Sequence, residues 1–395
     1  MDAGMSSGEW LERLGQFATN RPPDDWLRQH ESAIRASIAH DLYYDPELRN
    51  AFELLIRLVR IFVVEFFHPT EWESVLFDAL LQAQELQDRP TMVQVYAELG
   101  AAYYAMGRSK RALSAFEIAL DRARTHELEK MELAAYIGLI RVQATNLSAD
   151  FEPDLFAKAL ERSHQGAHDE TRAALYQALA LVYINRWQLT EGLNWARKAF
   201  RLWRSLGEDM EIAKTCYLLA VGNRMGRKFD RARYWIGRAE KYFSYVTYEL
   251  QTLLIFHERG TILYQQDEHI RAENELQIAL TEAMRLSTLH HLFATQYMLG
   301  ATEIELHKFM DAEHNLLLAQ EGWANIGNNY EIVLVELALC YLNCNRKQWK
   351  NAKTYIQNVQ RRITEINSQT QQLVLTNYVQ FFMDKYPKLN LGVSA

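Results

Sequence analysis

Proline is scarce in this chain. Of 395 residues only seven are proline, and between residues 91 and 386 Pro153 stands alone. Proline breaks helix interiors, so a stretch of that length reads as helix throughout. Cysteine is scarcer still. Cys216, Cys340 and Cys344 are too few for a disulfide framework. Cys340 and Cys344 stand one helical turn apart, which suits two packed thiols better than a bridge and points to a reducing compartment. Long apolar runs are also missing: the most apolar segment, IRLVRIFVVEFF at 56–67, holds Arg57, Arg60 and Glu65 and is too short to span a bilayer. The opening MDAGMSSGEWLERLGQ lacks the basic-then-apolar order of a signal peptide. A soluble, cytoplasmic protein with no membrane contact is expected.

The usual chemical motifs are absent as well. No GxxxxGK[ST] phosphate loop, GxGxxG turn or GxSxG elbow occurs. His257-Glu258 begins a zinc-protease-like motif, but Thr261 occupies the place of the second histidine. His290 and His291 are adjacent, so on a helix they diverge by about 100° and cannot both face one ion. No cofactor, metal or catalytic residue is expected, and the chain reads as a non-enzyme. Residues 1–45 carry four Lys/Arg against eight Asp/Glu, a balance that repels phosphate, so nucleic acid is not an expected partner.

What is present is a repeat. With a shift of 40, Ala119, Ala159, Ala199, Ala239, Ala279, Ala319 and Val359 fall into register, and Ala79 extends the column upstream. A second column reads Ala112, Gly192, Ala232, Ala272, Ala312 and Ala352, broken by Glu152. A third reads Leu99, Leu139, Leu179, Leu219, Leu299 and Leu339, broken by Arg259, with a small residue after most members: Gly100, Ala180, Ala220, Gly300 and Cys340. Ala112 and Ala119 are seven apart and share a helix face that lets a neighbouring backbone approach. Met106-Gly107-Arg108 supplies a turn between two helical patterns, and Gly207 and Gly327 are placed to end helices. Each repeat is therefore a helical hairpin whose apolar faces become a core when neighbours stack.

Leu99, Gly100, Tyr103, Ala112, Phe116 and Ala119 sit at the consensus spacing of the tetratricopeptide repeat (TPR) family, which the chain resembles over 91–366 and, in degenerate form, over 50–90. The 40-residue period is similar to the extended Leu-Gly-Asn variety and to the arrays of bacterial regulators. The resemblance implies an all-α, right-handed α-solenoid of about seven to eight hairpins. An N-terminal helical lobe (1–90) would precede the superhelix (91–366), and a C-terminal capping helix and tail (367–395) would close it. Within the lobe, WLERLGQF (10–17) and 24–42 read as helices parted by Pro22 and Pro23, and 56–67 as its buried centre or, alternatively, a dimer face.

Arrays of this family bind partners along a concave groove lined by each repeat's first helix. With the leucine column as the buried edge, the groove candidates in the early repeats are Tyr104, Arg141, Gln177, Asn185, Tyr217 and Arg224. In the later repeats they are His257, Tyr264, Gln265, Tyr297, Tyr341 and Asn345. Aromatics there give contact area, while amides and guanidinium groups satisfy a bound peptide's backbone and carboxylates. The Lys/Asn clamp of chaperone-binding members is missing: the matching positions include Ala97, Ala101, Ile137, Arg141, Gln177 and Leu181.

Charge is uneven. Residues 186–241 hold thirteen Lys/Arg against six Asp/Glu, net +7, in a chain of net −7. This stretch is either a solvated helix face or a docking surface for an acidic partner, with Arg197, Lys198, Arg201 and Arg204 from one helix and Arg227, Lys228, Arg231 and Arg233 from the next. Where a second helix should begin, NLSADFEPDLFAKAL replaces the small-residue column, and 146–153 reads as a hinge or as drift in a loop. The expected function is a non-catalytic scaffold or regulatory adaptor that captures a protein or peptide. Two alternatives are a regulator similar to the bacterial Rap type, binding a peptide and a response regulator or dephosphorylating the latter, and a subunit of a larger assembly joined through 56–67.

Overall fold

The computed structural model describes residues 4–17, 22–65, 69–145, 153–164, 168–245, 250–366 and 369–389. All the regular structure among them is helical. The first helices are α1 (Ser7–Gly15), α2 (Asp24–Asp41), α3 (Leu48–Arg60), α4 (Pro69–Glu85), α5 (Arg89–Ala105), α6 (Ser109–Thr125), α7 (Glu129–Thr145) and α8 (Pro153–His164). Then come α9 (Asp169–Asn185), α10 (Leu189–Leu206), α11 (Asp209–Met225), α12 (Phe229–Phe243), α13 (Gln251–Tyr264) and α14 (His269–Arg285). The last are α15 (Leu289–Glu305), α16 (Phe309–Ile326), α17 (Asn329–Asn345), α18 (Trp349–Ile363) and α19 (Gln369–Lys385).

Local chemistry starts and stops these helices. Ser6 and Glu9 form a reciprocal capping box on α1, Asp88 caps α5 ahead of Pro90, and Asn328 caps α17. Pro153 opens α8, where its missing N–H costs nothing. Gly207 and Gly327 end α10 and α16 at φ 77° and 78°, as the sequence predicts. The left-handed turn is more regular than the glycines reveal. Gln87, Glu127, Trp187, Arg227, Asp267, Ser287, His307 and Lys347 adopt it too, at whole multiples of twenty residues from Gly107. The 40-residue repeat is thus two half-units joined by near-equivalent turns.

The chain forms two compact units. The first lies within Met1–Val142 and Asp154–Thr171 and contains the N-terminal helices. Its core holds Trp10, Leu14, Ile34, Ile38, Phe62 and Trp72, all with essentially no exposed surface, and Phe62 stacks on Trp72 at 5.0 Å. Of the 56–67 segment, Leu58, Val59, Phe62 and Val63 are buried inside the unit, while Arg57 and Arg60 face outward. Residues 66 and 67 of that segment lie outside the described residues.

The second unit lies within Gln143–Pro153, Arg172–Val246 and Leu250–Ala395. From α10 to α19 every helix packs on the next, and the first helices α11, α13, α15, α17 and α19 also touch in succession. They form one continuous wall, with the second helices layered outside it. The sequence columns are the joints of this stack. Ala199, Ala239, Ala279, Ala319 and Val359 are fully buried, as are Ala232, Ala272, Ala312 and Ala352. A Cβ on Gly260 would stand 2.7 Å from Leu276, and one on Gly300 would stand 2.7 Å from Leu316. In each case the partner is sixteen residues on, so the small residue at this place in the first helix receives the large residue of its own second helix. In the first unit Phe116 fills the same place against Gly100. The architecture is an all-α solenoid of the TPR type.

The last α-helix, α19, packs against α18 and α17 but leaves Leu373, Tyr378 and Phe381 exposed. Its outer face is therefore less polar than that of a simple cap. Residues 390–395 lie outside the described residues, as do 146–152, so the hinge expectation is not described by the structure beyond Pro153.

Candidate functional site

The wall of first helices in the second unit gathers aromatic, imidazole and carboxyl groups that are enclosed by protein yet keep some accessible surface. Tyr217, His257, Tyr264, Tyr297, Tyr330, Glu331 and Tyr341 are all partly buried. Burial is the largest influence on the protonation of His257, Tyr264, Tyr297, Tyr330, Glu331 and Tyr341. It holds His257 down to about 4, with Arg224 and His290 adding to the effect, and raises the carboxyl of Glu331 to about 7. Burial likewise raises the phenols of Tyr264, Tyr297 and Tyr330, and Tyr378 of α19 adds a smaller electrostatic push to all three. His257, Tyr264, Tyr297, Tyr330 and Tyr341 are therefore uncharged at neutral pH, and Glu331 is close to its midpoint.

Several wall residues are engaged with one another. The Arg224 Nε donates to Glu258 Oε1 at 2.7 Å, and Glu258 is only 1% exposed, so a buried carboxylate already neutralises this guanidinium. His257 Nδ1 lies 3.0 Å from Thr295 Oγ1. Gln177 is buried and its Nε2 donates to Thr215 Oγ1 at 3.0 Å, which ties α9 to α11. The Asn185 amide donates to the Ala144 carbonyl at 3.0 Å. At the far end Tyr341 meets Phe382 at 5.8 Å, Lys385 lies 5.1 Å from its ring centre, and the exposed Asn345 amide donates to the Tyr341 carbonyl. Tyr104 and Arg141 are partly buried in the first unit.

On α13 and the residue that follows it, Gln251 Oε1 and Gln265 Oε1 are enclosed and make no hydrogen bond among the described residues. An enclosed amide oxygen without a donor costs free energy, and a ligand N–H would relieve it. Beside these side chains lie others that the sequence did not single out as groove candidates: Glu258, Glu331, Tyr330, Trp187, His291 and Tyr378. The repeat held a signal for some of them. His290 and Tyr330 are 40 apart, as are His291 and Glu331, so each pair occupies one position in successive first helices.

Among the described residues no group of three or more His, Cys, Asp or Glu is placed to hold a metal ion. Cys216, Cys340 and Cys344 are free buried thiols. Among the same residues no helix is long and apolar enough to cross a membrane.

No family model matches the sequence, and no curated protein matches it. Solved structures do resemble the fold. A Rap protein complexed with Competence and Sporulation Factor superposes with a TM-score of 0.57 at 11% identity, covering 86% of this chain and 98% of that one. The apo form of RapI gives 0.48 at 14% identity, over 74% and 87% of the two chains. Yeast Tom70 gives 0.45 at 12% identity, over 96% and 80%. The first of these likenesses shows the fold: a Rap-like TPR architecture. At such identity it assigns no residue a role.

Proposed function

We propose that the protein is a non-catalytic binding scaffold or regulator of the cell interior that holds a partner polypeptide along the wall of first helices in its second unit. The observation that carries this reading is the pair of enclosed, unanswered amide oxygens of Gln251 and Gln265, on a wall otherwise built of partly accessible tyrosines. Tyrosine gives large contact area at low entropic cost, and amide acceptors without a donor can take the N–H groups of an extended backbone when a partner displaces what covers them. The Arg224–Glu258 pair contributes order to this wall rather than a free cation.

The test is affinity capture from the native source, followed by direct titration of the captured partner against Tyr264→Ala, Tyr297→Ala and Gln265→Leu variants. A partner held here loses affinity by about tenfold or more with one of the tyrosine variants, the scale of an interface hot spot. Equal affinity for all three variants moves the binding site elsewhere.

The Rap-like alternative rests on the fold match, which extends over nearly the whole of a Rap protein bound to a peptide factor. Under this reading the wall takes a peptide and the first unit meets a response regulator. Accelerated loss of phosphate from a phosphorylated response regulator in the presence of the purified protein would favour it.

A further inference from the structure

The outer face of α10 and α12 is a different surface from the interior wall, and basic side chains are concentrated on it. Several arginines elsewhere are answered: Arg108 by Glu73, Arg124 by Glu132, Arg259 by Glu240 and Glu275, Arg346 by Glu313 and Arg362 by Glu336. On α10, Arg197, Lys198, Arg201 and Arg204 are all exposed, and among the described residues none has a carboxylate partner; Arg197 touches only the Asn194 amide. Lys241 on α12 is exposed and unpaired in the same sense. The nearby Glu240 is already committed to Arg259, and Asp230 to Arg233.

The two helices form one face. Phe200 of α10 meets Trp235 of α12 edge-on at 5.3 Å, and the Arg238 guanidinium lies 5.2 Å from the Phe200 ring and 5.7 Å from that of Tyr242. Arg201 and Lys241 are 40 apart and so occupy equivalent places on adjacent second helices. Arg197, Arg201 and Arg204 follow one another at helical spacing, a row about 10 Å long. At the start of α12, a cleft of ≈ 540 Å³ is lined by Arg227, Lys228, Phe229, Asp230, Arg231 and Gln266.

Unpaired like charges on one face repel one another, a cost that falls when a partner of opposite sign is bound. We infer that the outer face of α10 and α12 docks an acidic segment of a partner protein, with its carboxylates set against Arg197, Arg201, Arg204 and Lys241. A polypeptide fits better than a nucleic acid for two reasons. The positive field is local, because residues 186–241 are net +7 in a chain of net −7, so a long polyanion would run onto acidic surface. Two aromatic rings are also covered: Lys198 sits 3.9 Å from the Trp195 ring centre and Arg238 5.7 Å from that of Trp235, which disfavours base stacking on them. Guanidinium groups pair with carboxylates in a planar, two-pronged fashion, which favours arginine at such a site.

The experiment is fluorescence anisotropy of a dye-labelled oligoglutamate peptide titrated with the full chain, alongside a labelled oligothymidylate of equal charge. The expected result is binding of the oligoglutamate that weakens with salt and falls by about tenfold or more in the R201E/R204E double variant. Both positions are exposed, so circular dichroism should confirm an unchanged fold. Arg271→Glu, at an exposed site already paired with Glu268, serves as the charge control and should change affinity no more than about twofold. Undiminished binding by R201E/R204E, an equal loss in the Arg271 variant, or tighter binding of oligothymidylate would each overturn the inference.

Discussion

The indole Nε1 of Trp187 donates a hydrogen bond to the phenol oxygen of Tyr330 at 3.2 Å, joining residues 143 apart in the sequence. A stack of hairpins in which each touches only its neighbours would not make this contact. Within the second unit it brings the turn after α9 onto the start of α17. Trp187 is held in the left-handed region at φ 63°, so its backbone and its ring are both constrained.

Trp187→Phe keeps most of the ring and removes the donor. The expected loss is about 1 kcal/mol, the net worth of a typical buried hydrogen bond. Tyr330→Phe should cost a similar amount, and the double variant should cost clearly less than the two singles together. Urea midpoints for the four proteins give the coupling; strict additivity would mean that the bond contributes nothing.

The buried pair Arg224–Glu258 gives a larger effect. Burial raises the Glu258 carboxyl, and Arg224 opposes that rise. Arg224→Ala leaves an uncompensated buried carboxylate and should destabilise by about 3–5 kcal/mol at neutral pH. Replacing both residues, Arg224→Met with Glu258→Leu, should recover most of the loss. If Arg224→Ala is as stable as the parent, the pair is not the wall's anchor.

Much of this architecture was legible in the chain. The alanine and leucine columns mark helix joints because close packing there admits one size of side chain, so Ala239, Ala279 and Ala319 announce themselves by recurrence. Gly207 and Gly327 end their helices as expected, yet the eight other left-handed turn positions carry Gln, Glu, Trp, Arg, Asp, Ser, His and Lys and were silent. There the short turn between packed helices imposes the backbone, and local preference yields. The wall was less legible for a related reason. Gln177 was placed in the groove by its register, and the structure buries it between α9 and α11, because a residue at the border of two faces is decided by how far the neighbouring helix leans. Tyr330 and Glu331 begin α17, beyond the reach of a reading anchored on the leucine near its middle.

Glycines test the packing argument directly. A Cβ on Gly138 would come within 2.2 Å of Phe116, whereas one on Gly237 would meet nothing within 4 Å. Gly138→Ala should therefore destabilise the first unit by about 1–3 kcal/mol through overpacking. Gly237→Ala should stabilise α12 by about 0.5–1 kcal/mol, because alanine favours the helix and loses less freedom on folding. Thermal melts of the two variants should move in opposite directions; a common direction would contradict the packing described for Phe116.

The dependence of stability on pH reflects two opposed sets of groups in the second unit. Burial holds His257 down to about 4 and His291 to about 3, against an ordinary histidine value of 6.5. The nearby Arg224 and His290 add to the shift at His257, and His290 and His257 to that at His291. In the unfolded chain these rings take up protons below about 6.5, while in the folded chain they stay neutral. Their contribution is therefore present above that pH and is lost as pH falls towards 4. Glu331 and Glu303 act in the reverse sense. Burial raises both to about 7 from 4.5, with the Asn315 amide partly countering the rise at Glu303. The folded state takes up their protons first, so acidification from 7 to 4.5 favours it. The sets overlap between about 4.5 and 6.5, and the parent protein should show a shallow profile there. Glu331→Gln and Glu303→Gln should each make the melting temperature fall more steeply with acid across that window, whereas His257→Gln and His291→Gln should flatten or reverse the fall. Melting curves at half-unit pH steps decide it, and parallel profiles for the parent and all four variants would show that these groups titrate alike in both states.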